Sequence, residues 1–408
     1  MAIGRILVFL SILAIATSSC AASDGDGIAS RAAGGTGTTT SSTVGGVGPA
    51  VATPPSGPSA LEDPFDASFP EPLIDPAEIT SGGPPPDGIP PVDDPVFLPV
   101  AENLGILPAN EPVVALELNG DARAYPVRAL VWHEIVNDTV GGVPVSITYC
   151  PLCNSAATYE RTIDGAVTTF GTSGKLYASA LVMYDRATES LWTHYNGEAV
   201  VGVLTGKRLV EHPSPLLAWG DFRTEYPTGQ ILDWTETGFD RRYGSNPYTA
   251  YDDPDNTPFL FRGALDDRAA AMQRVVGIEI DGDAIAIPLD TVDGDGTGPA
   301  VTPVTVGGTE LIVFWKPGQA SALDRATIAD GFDVGSVAVF EASIDDQVAT
   351  FFPSAEGWVD DLAASTWTIA GRATDGGLEG RQLARVPHLD TFWFAWSTYQ
   401  PETRLIDG

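Results

Sequence analysis

Lysine, histidine and cysteine are all scarce in this chain of 408 residues. It has three lysines (Lys175, Lys207, Lys316), four histidines and three cysteines (Cys20, Cys150, Cys153). With 54 acidic residues against 21 basic ones, the formal net charge is −33. Such a surface repels phosphate backbones, which argues against nucleic-acid binding. No Gly-x-Ser-x-Gly elbow and no His-Glu-x-x-His pair occur, so the usual marks of a serine or zinc hydrolase are missing. Asp293-Gly-Asp295-Gly-Thr297-Gly starts like a calcium loop, but Val304 stands where the terminal glutamate would be, and a solvated acidic turn is the simpler reading. After the first twenty residues no stretch is long and apolar enough to cross a bilayer as a helix.

What is present is apolar and turn-rich. Hydrophobic residues make up 43%, with 9 Trp, enough to build a large core and to exclude global disorder. The 44 Gly and 33 Pro favour strands and loops over long helices.

The N-terminus reads as an export signal. Arg5 precedes the apolar run Ile6–Ala16, and Thr17-Ser18-Ser19-Cys20 follows. Small residues before a cysteine fit a bacterial lipoprotein signal over 1–20, with Cys20 lipidated and the protein held on the outer side of a membrane. An ordinary secretory signal cleaved near Ala21-Ala22 is the alternative. Residues 21–95 are rich in Gly, Ser, Thr and Pro, which predicts a disordered tether. Within it, the stretch 62–72 has three apolar anchors and is placed to dock on the body.

The body contains a diverged repeat. Residues 113–130 match 275–292, each around an Asn-Gly or Asp-Gly hairpin turn. Next, 141–153 match 307–319, and 206–232 match 380–406. The last pair aligns Gly206, Leu209, Pro213, Trp219 and Pro227 with Gly380, Leu383, Pro387, Trp393 and Pro401. The predicted fold is mainly β with a few short helices, built as two pseudo-symmetric units. Unit one is 96–235 and carries the site. A bridge follows at 236–274, and unit two, a scaffold, is 275–408. Short helices are predicted over Pro215–Phe222 and His388–Trp396.

The copies differ where chemistry is concentrated. Opposite Cys150-Pro151-Leu152-Cys153, copy two has Lys316-Pro317-Gly318-Gln319, and opposite His133 it has Asp295. Four motifs occur in order: WHEIVND (132–138), TYCPLCNSA (148–156), FGTSGKLYASALVMYDRATESLW (170–192) and YGSNPYTAY (243–251). Together they resemble the bacterial and archaeal family known as DUF3179, over most of 100–406. The resemblance implies an exported protein with a Cys-Pro-x-Cys core motif and brings no established activity.

An isolated C-x-x-C in an oxidising envelope has three readings. It is a structural disulfide, a redox-active dithiol, or half of a metal site. A soft thiolate site would suit copper or zinc, with His133 and His194 as the further ligands. His133 stands first, because the Gly141-Gly142 turn can fold it back toward Cys150. His212 and His388 are assigned to a connecting loop and a helix cap. In the redox reading Cys150 and Cys153 are the reacting groups, and Lys175 is the cation that would lower a nearby thiol pKa. The expected partners are the membrane, through the lipid on Cys20, and an unidentified envelope protein or ligand. The rival from another class is a non-catalytic envelope binding module in which a disulfide only shapes a cleft.

Overall fold

The computed structural model describes residues 57–406. The export signal, Cys20 and residues 21–56 of the expected tether lie outside the described residues.

The N-terminal half of the body opens with β1 (Pro112–Leu118) and β2 (Asp121–Pro126). They pair as a hairpin whose turn, Asn119-Gly120, has positive φ at both residues (51° and 80°). That is the backbone an Asn-Gly turn supplies at low cost. Helix α1 (Val127–His133) follows, then a three-stranded meander of β3 (Ile135–Val140), β4 (Val143–Cys150) and β5 (Ser155–Glu160). Gly141 and Gly142 turn β3 into β4 with φ of 54° and 84°. At Gly141 a Cβ would also meet the Leu118 carbonyl oxygen at 2.1 Å, so no other residue fits. A second meander contains β6 (Phe170–Tyr177), β7 (Ala180–Asp185) and β8 (Leu191–Thr193). The half closes with β9 (Leu216–Ala218), α2 (Trp219–Glu225) and β10 (Gln230–Leu232). Strand β9 pairs antiparallel with β1, and β10 parallel with β2.

The C-terminal half runs through a similar order of elements. It runs β11 (Arg274–Ile280), β12 (Asp283–Pro288), α3 (Leu289–Val292), β13 (Ala300–Val306), β14 (Thr309–Lys316) and β15 (Ser336–Glu341). It continues with β16 (Phe351–Ser354), β17 (Gly357–Asp360), β18 (Thr366–Trp367), β19 (Leu389–Phe392), α4 (Trp393–Tyr399) and β20 (Arg404–Leu405). Strand β19 pairs antiparallel with β11, and β20 parallel with β12. Individual hydrogen bonds recur too. Trp219 N and Trp393 N donate to Glu111 O and Gln273 O, both at 2.8 Å. Asp185 accepts from the Trp192 indole at 3.0 Å, and Asp360 from the Trp367 indole at 2.9 Å. The fold is therefore β-rich, as expected.

The expected helices at 215–222 and 388–396 begin later than predicted, at the matched Trp219 and Trp393. The residues just before them are spent on sheet pairing in β9 and β19. Each half leans on the other. Strand β5 packs against β19, and β15 against β9, while one large apolar core runs through both halves.

Residues 57–95 are not a free tether. Ala60, Leu61, Phe69, Ile74 and Ile79 cover the outer face of β7 and β8, made by Val182, Tyr184 and Leu191. Thr80 and Ser81 add a short strand to β6 opposite Leu176 and Lys175. Composition pointed to a tether, but these few apolar residues meet a complementary face that only the folded body provides. Of the anchors in 62–72, Phe69 docks and Phe65 stays exposed.

Candidate dithiol site

Cys150 ends β4 and Ser155 opens β5, directly paired across the ladder. Pro151-Leu152-Cys153-Asn154 is thus the loop of a β-hairpin, with Asn154 taking the positive φ (50°) that closes it. Both cysteines are free thiols and buried, with residue exposures of 2% and 0%. The loop is pinned from several directions. The Cys153 carbonyl accepts from Thr391 Oγ1 (2.7 Å) and Phe392 N (3.2 Å) of the C-terminal half. Asn154 accepts from the Tyr149 hydroxyl (3.1 Å) and donates to Asp390 Oδ1 (3.3 Å). The Leu152 carbonyl accepts from the Tyr251 hydroxyl (2.9 Å). Tyr251 belongs to the bridge, which is itself held by the β14–β15 connection through Tyr251 N to Leu323 O and Asn246 N to Ala326 O.

The two sulfurs are unlike. Burial pushes the Cys150 thiol up, but hydrogen bonds from the Cys153 thiol and from the backbone of Leu181, Cys153 and Leu152 outweigh it. The net shift is below the ordinary thiol value. Burial pushes the Cys153 thiol up, and the hydrogen bond and charge of Cys150 push it further. Cys153 Sγ also lies 3.0 Å from Ser155 Oγ. Ser155 Oγ is 2.7 Å from His194 Nε2, and His194 Nδ1 is 2.7 Å from Thr148 Oγ1. Burial lowers the His194 pKa to about 3, so the ring is neutral at physiological pH.

Glu134 closes another side. It stands at the end of α1 with φ of 58° and a residue exposure of 8%. Its carboxyl group has no hydrogen-bond partner among the described residues. Burial, then the charge of Cys150, raises its pKa well above the usual carboxylate range. Burial, then the charges of Glu134 and Cys150, push the phenol of Tyr248 in the bridge up.

The expected site residues divide accordingly. His194 joins the cysteines through Ser155. His133 does not: its Nδ1 is 2.7 Å from the Pro90 carbonyl oxygen and its Nε2 is 2.7 Å from the Tyr243 hydroxyl. The turn at Gly141-Gly142 forms as expected, but His133 ends α1, where its ring is taken up by the docked segment and the bridge. Lys175 is also elsewhere. It pairs with Val182, whose side chain faces the docked N-terminal segment, whereas the neighbouring pair Leu176 and Leu181 faces the core that holds the cysteines. Among the described residues no group of three or more His, Cys, Asp or Glu side chains could hold a metal ion. The expected set of Cys150, Cys153, His133 and His194 is therefore not assembled, and a copper or zinc ion finds two sulfurs here but no converging imidazoles.

Sequence reasoning missed Thr148, Ser155 and Glu134. The first two were within reach of it. Strand alternation puts Thr148 and Cys150 on one face of β4, and hairpin pairing puts Ser155 opposite Cys150. Glu134 was not within reach, because its positive φ is not visible in the sequence.

These features define a β-rich protein with a dithiol buried in a hairpin turn at the junction of its two halves. The chain belongs to the family described as protein of unknown function (DUF3179), whose match spans residues 86–403. No curated protein and no solved structure matches it.

Proposed function

We propose that this is an exported envelope protein, lipid-anchored through Cys20, whose Cys150–Cys153 pair is a redox-active dithiol. The observation that carries the reading is the pair of free, buried sulfurs in one four-residue turn, with Cys153 Sγ 3.8 Å from the Cys150 carbonyl oxygen. The co-reactant is a disulfide of an envelope protein or small molecule, RS–SR. The Cys150 thiolate attacks one of its sulfurs, the S–S bond breaks, and one thiolate leaves. The Cys153 thiolate then attacks Cys150 Sγ and expels the second thiolate. Cys150 and Cys153 end as a disulfide, and the two electrons end on the two released thiols. The reverse sequence oxidises an envelope dithiol. The unequal acidity of the two thiols suits this division of labour, since the more acidic one attacks first.

The test is thiol counting and elemental analysis on the purified protein, before and after a thiol–disulfide buffer. The redox reading expects reversible loss of two titratable thiols and no bound metal. Cys153→Ser is expected to trap a mixed disulfide at Cys150. Stoichiometric copper or zinc that is lost in either single variant would replace it with the metal reading. A second reading, a binding module, is favoured by the burial of both sulfurs beneath Tyr251. It prevails if the folded protein neither exchanges disulfides nor takes up metal.

A further inference from the structure

Beyond the two cysteines, a chain of hydroxyl and imidazole groups runs inward from Cys153, and its direction can be fixed from geometry. The Ala157 carbonyl can only accept a hydrogen bond. Thr148 Oγ1, 2.9 Å away, donates its single proton there. Thr148 therefore accepts at its 2.7 Å contact with His194, and His194 Nδ1 carries the proton. The neutral ring then has a bare Nε2, which accepts from the Ser155 hydroxyl at 2.7 Å. With its proton so committed, Ser155 Oγ, 3.0 Å from Cys153 Sγ, accepts the single Cys153 thiol proton whenever that proton is not directed at Cys150. Every member is buried, so water does not compete for these bonds.

We propose that Ser155 and His194 form the proton relay that turns Cys153 into the attacking thiolate in the second step of disulfide exchange. The inference rests on the redox reading above. In the step, the Cys153 S–H proton passes to Ser155 Oγ while the Ser155 proton passes to His194 Nε2. Because burial weakens the hold of His194 on a proton and disfavours a free Cys153 thiolate, these transfers run in concert with the attack, and the imidazolium is only transient. Cys153 Sγ attacks Cys150 Sγ, the Cys150–substrate S–S bond breaks, and the substrate thiolate departs with that electron pair. The imidazolium returns its proton through Ser155 to solvent or to the departing thiolate.

The order of events follows from charge. While Cys150 is a thiolate, its charge opposes a second one on Cys153. Once Cys150 is bound in a mixed disulfide that charge is gone, and the relay can act. Ser155 touches the reacting sulfur. His194 acts through Ser155 and is a positioning residue, fixed by Thr148. Copy two lacks the arrangement: Ser336 stands where Ser155 does, but opposite Lys316.

The experiment uses the full-length protein, reduced, with 5,5′-dithiobis(2-nitrobenzoate) as the disulfide probe. Two equivalents of coloured thiolate are expected in two phases, the first from attack by Cys150 and the second from resolution by Cys153. Ser155→Ala should slow the second phase by at least about tenfold and leave the first unchanged. Ser155→Thr keeps the hydroxyl and should restore the second phase. In His194→Gln the second phase should become dependent on hydroxide, rising with pH where the parent protein is flat. Second phases that keep the parental rate and pH profile in both Ser155→Ala and His194→Gln overturn the relay while leaving the dithiol reading intact. Loss of both phases to the same extent in these variants also overturns it, because that is the mark of a purely structural role. If the folded parent protein releases no thiolate, the redox reading itself fails, and the relay with it.

Discussion

The turn after β4 and the turn after β14 occupy matching places in the two halves and have opposite contents. In the first, four residues join the strands, one thiol ends the first strand and the other lies within the loop. In the second, Lys316 stands at the position of Cys150 and Ser336 at that of Ser155, and a long excursion separates them. Lys316 Nζ pairs with Asp221, which also accepts from Ser336 Oγ at 3.1 Å. Asp221 lies on α2 of the other half, so this ion pair fastens the halves together. The excursion carries Leu323 and Ala326, which hold the bridge in place over the thiols. One framework thus holds a dithiol turn in one half and a clamp with a roof support in the other. Similar strand order fixes where a turn lies, and the few residues inside it decide what it does.

The comparison breaks most sharply at the clamp. Lys316→Met leaves a nearly buried Asp221 with the Ser336 hydroxyl as its remaining partner among the described residues, and should destabilise the fold by about 1–3 kcal/mol by chemical denaturation. Thiol exchange measured well below the melting temperature should be unchanged. A loss of exchange in the folded variant would mean that the second turn shares in the chemistry.

The next effect is on pH dependence. His194 has a folded-state pKa of about 3, below its ordinary 6.5, so the unfolded chain binds its proton first. Stability from this group is present above pH ~6.5 and is lost as pH falls toward ~3. Glu134 has the opposite sign. Its raised pKa makes its contribution complete below the ordinary carboxylate value, and that contribution is lost as pH rises. Denaturation midpoints across pH should fall less on the acid side in His194→Gln and less on the alkaline side in Glu134→Gln. Unaltered slopes would mean that neither group is buried as described.

A smaller effect is expected at the roof. Tyr251→Phe removes the bond to the Leu152 carbonyl and costs about 1 kcal/mol. It should also speed alkylation of Cys150 in the native protein. The smallest is Lys175→Met, which should leave thiol reactivity and its pH profile unaltered. A raised thiol pKa in that variant would restore Lys175 to the site.

Much of the fold was legible because the turns are chemically explicit. Asn119-Gly120, Gly141-Gly142 and their counterparts mark hairpins whose register then follows from alternation. The cysteine turn itself was legible for the same reason. The histidines were ranked by distance along the chain, and that misled. His133 is seventeen residues from Cys150 but ends a helix that faces the docked segment, whereas His194 arrives from a different sheet. No local pattern encodes which sheets come together. Docking was expected only for 62–72; the contacts of Ala60, Leu61, Ile74 and Ile79 were not, since their receiving face is assembled from β7 and β8 and does not exist in the unfolded chain.

The Cys153 carbonyl bonded to Thr391 has a bearing on biosynthesis. These partners are separated by 238 positions, and a ribosome delivers them in that order. The two sulfurs therefore emerge long before the strand that closes over them. Until β19 arrives the turn is missing its far wall, and the nascent chain presents its thiols openly to any oxidant it meets. A C-terminal truncation ahead of Leu389 would make that interval permanent.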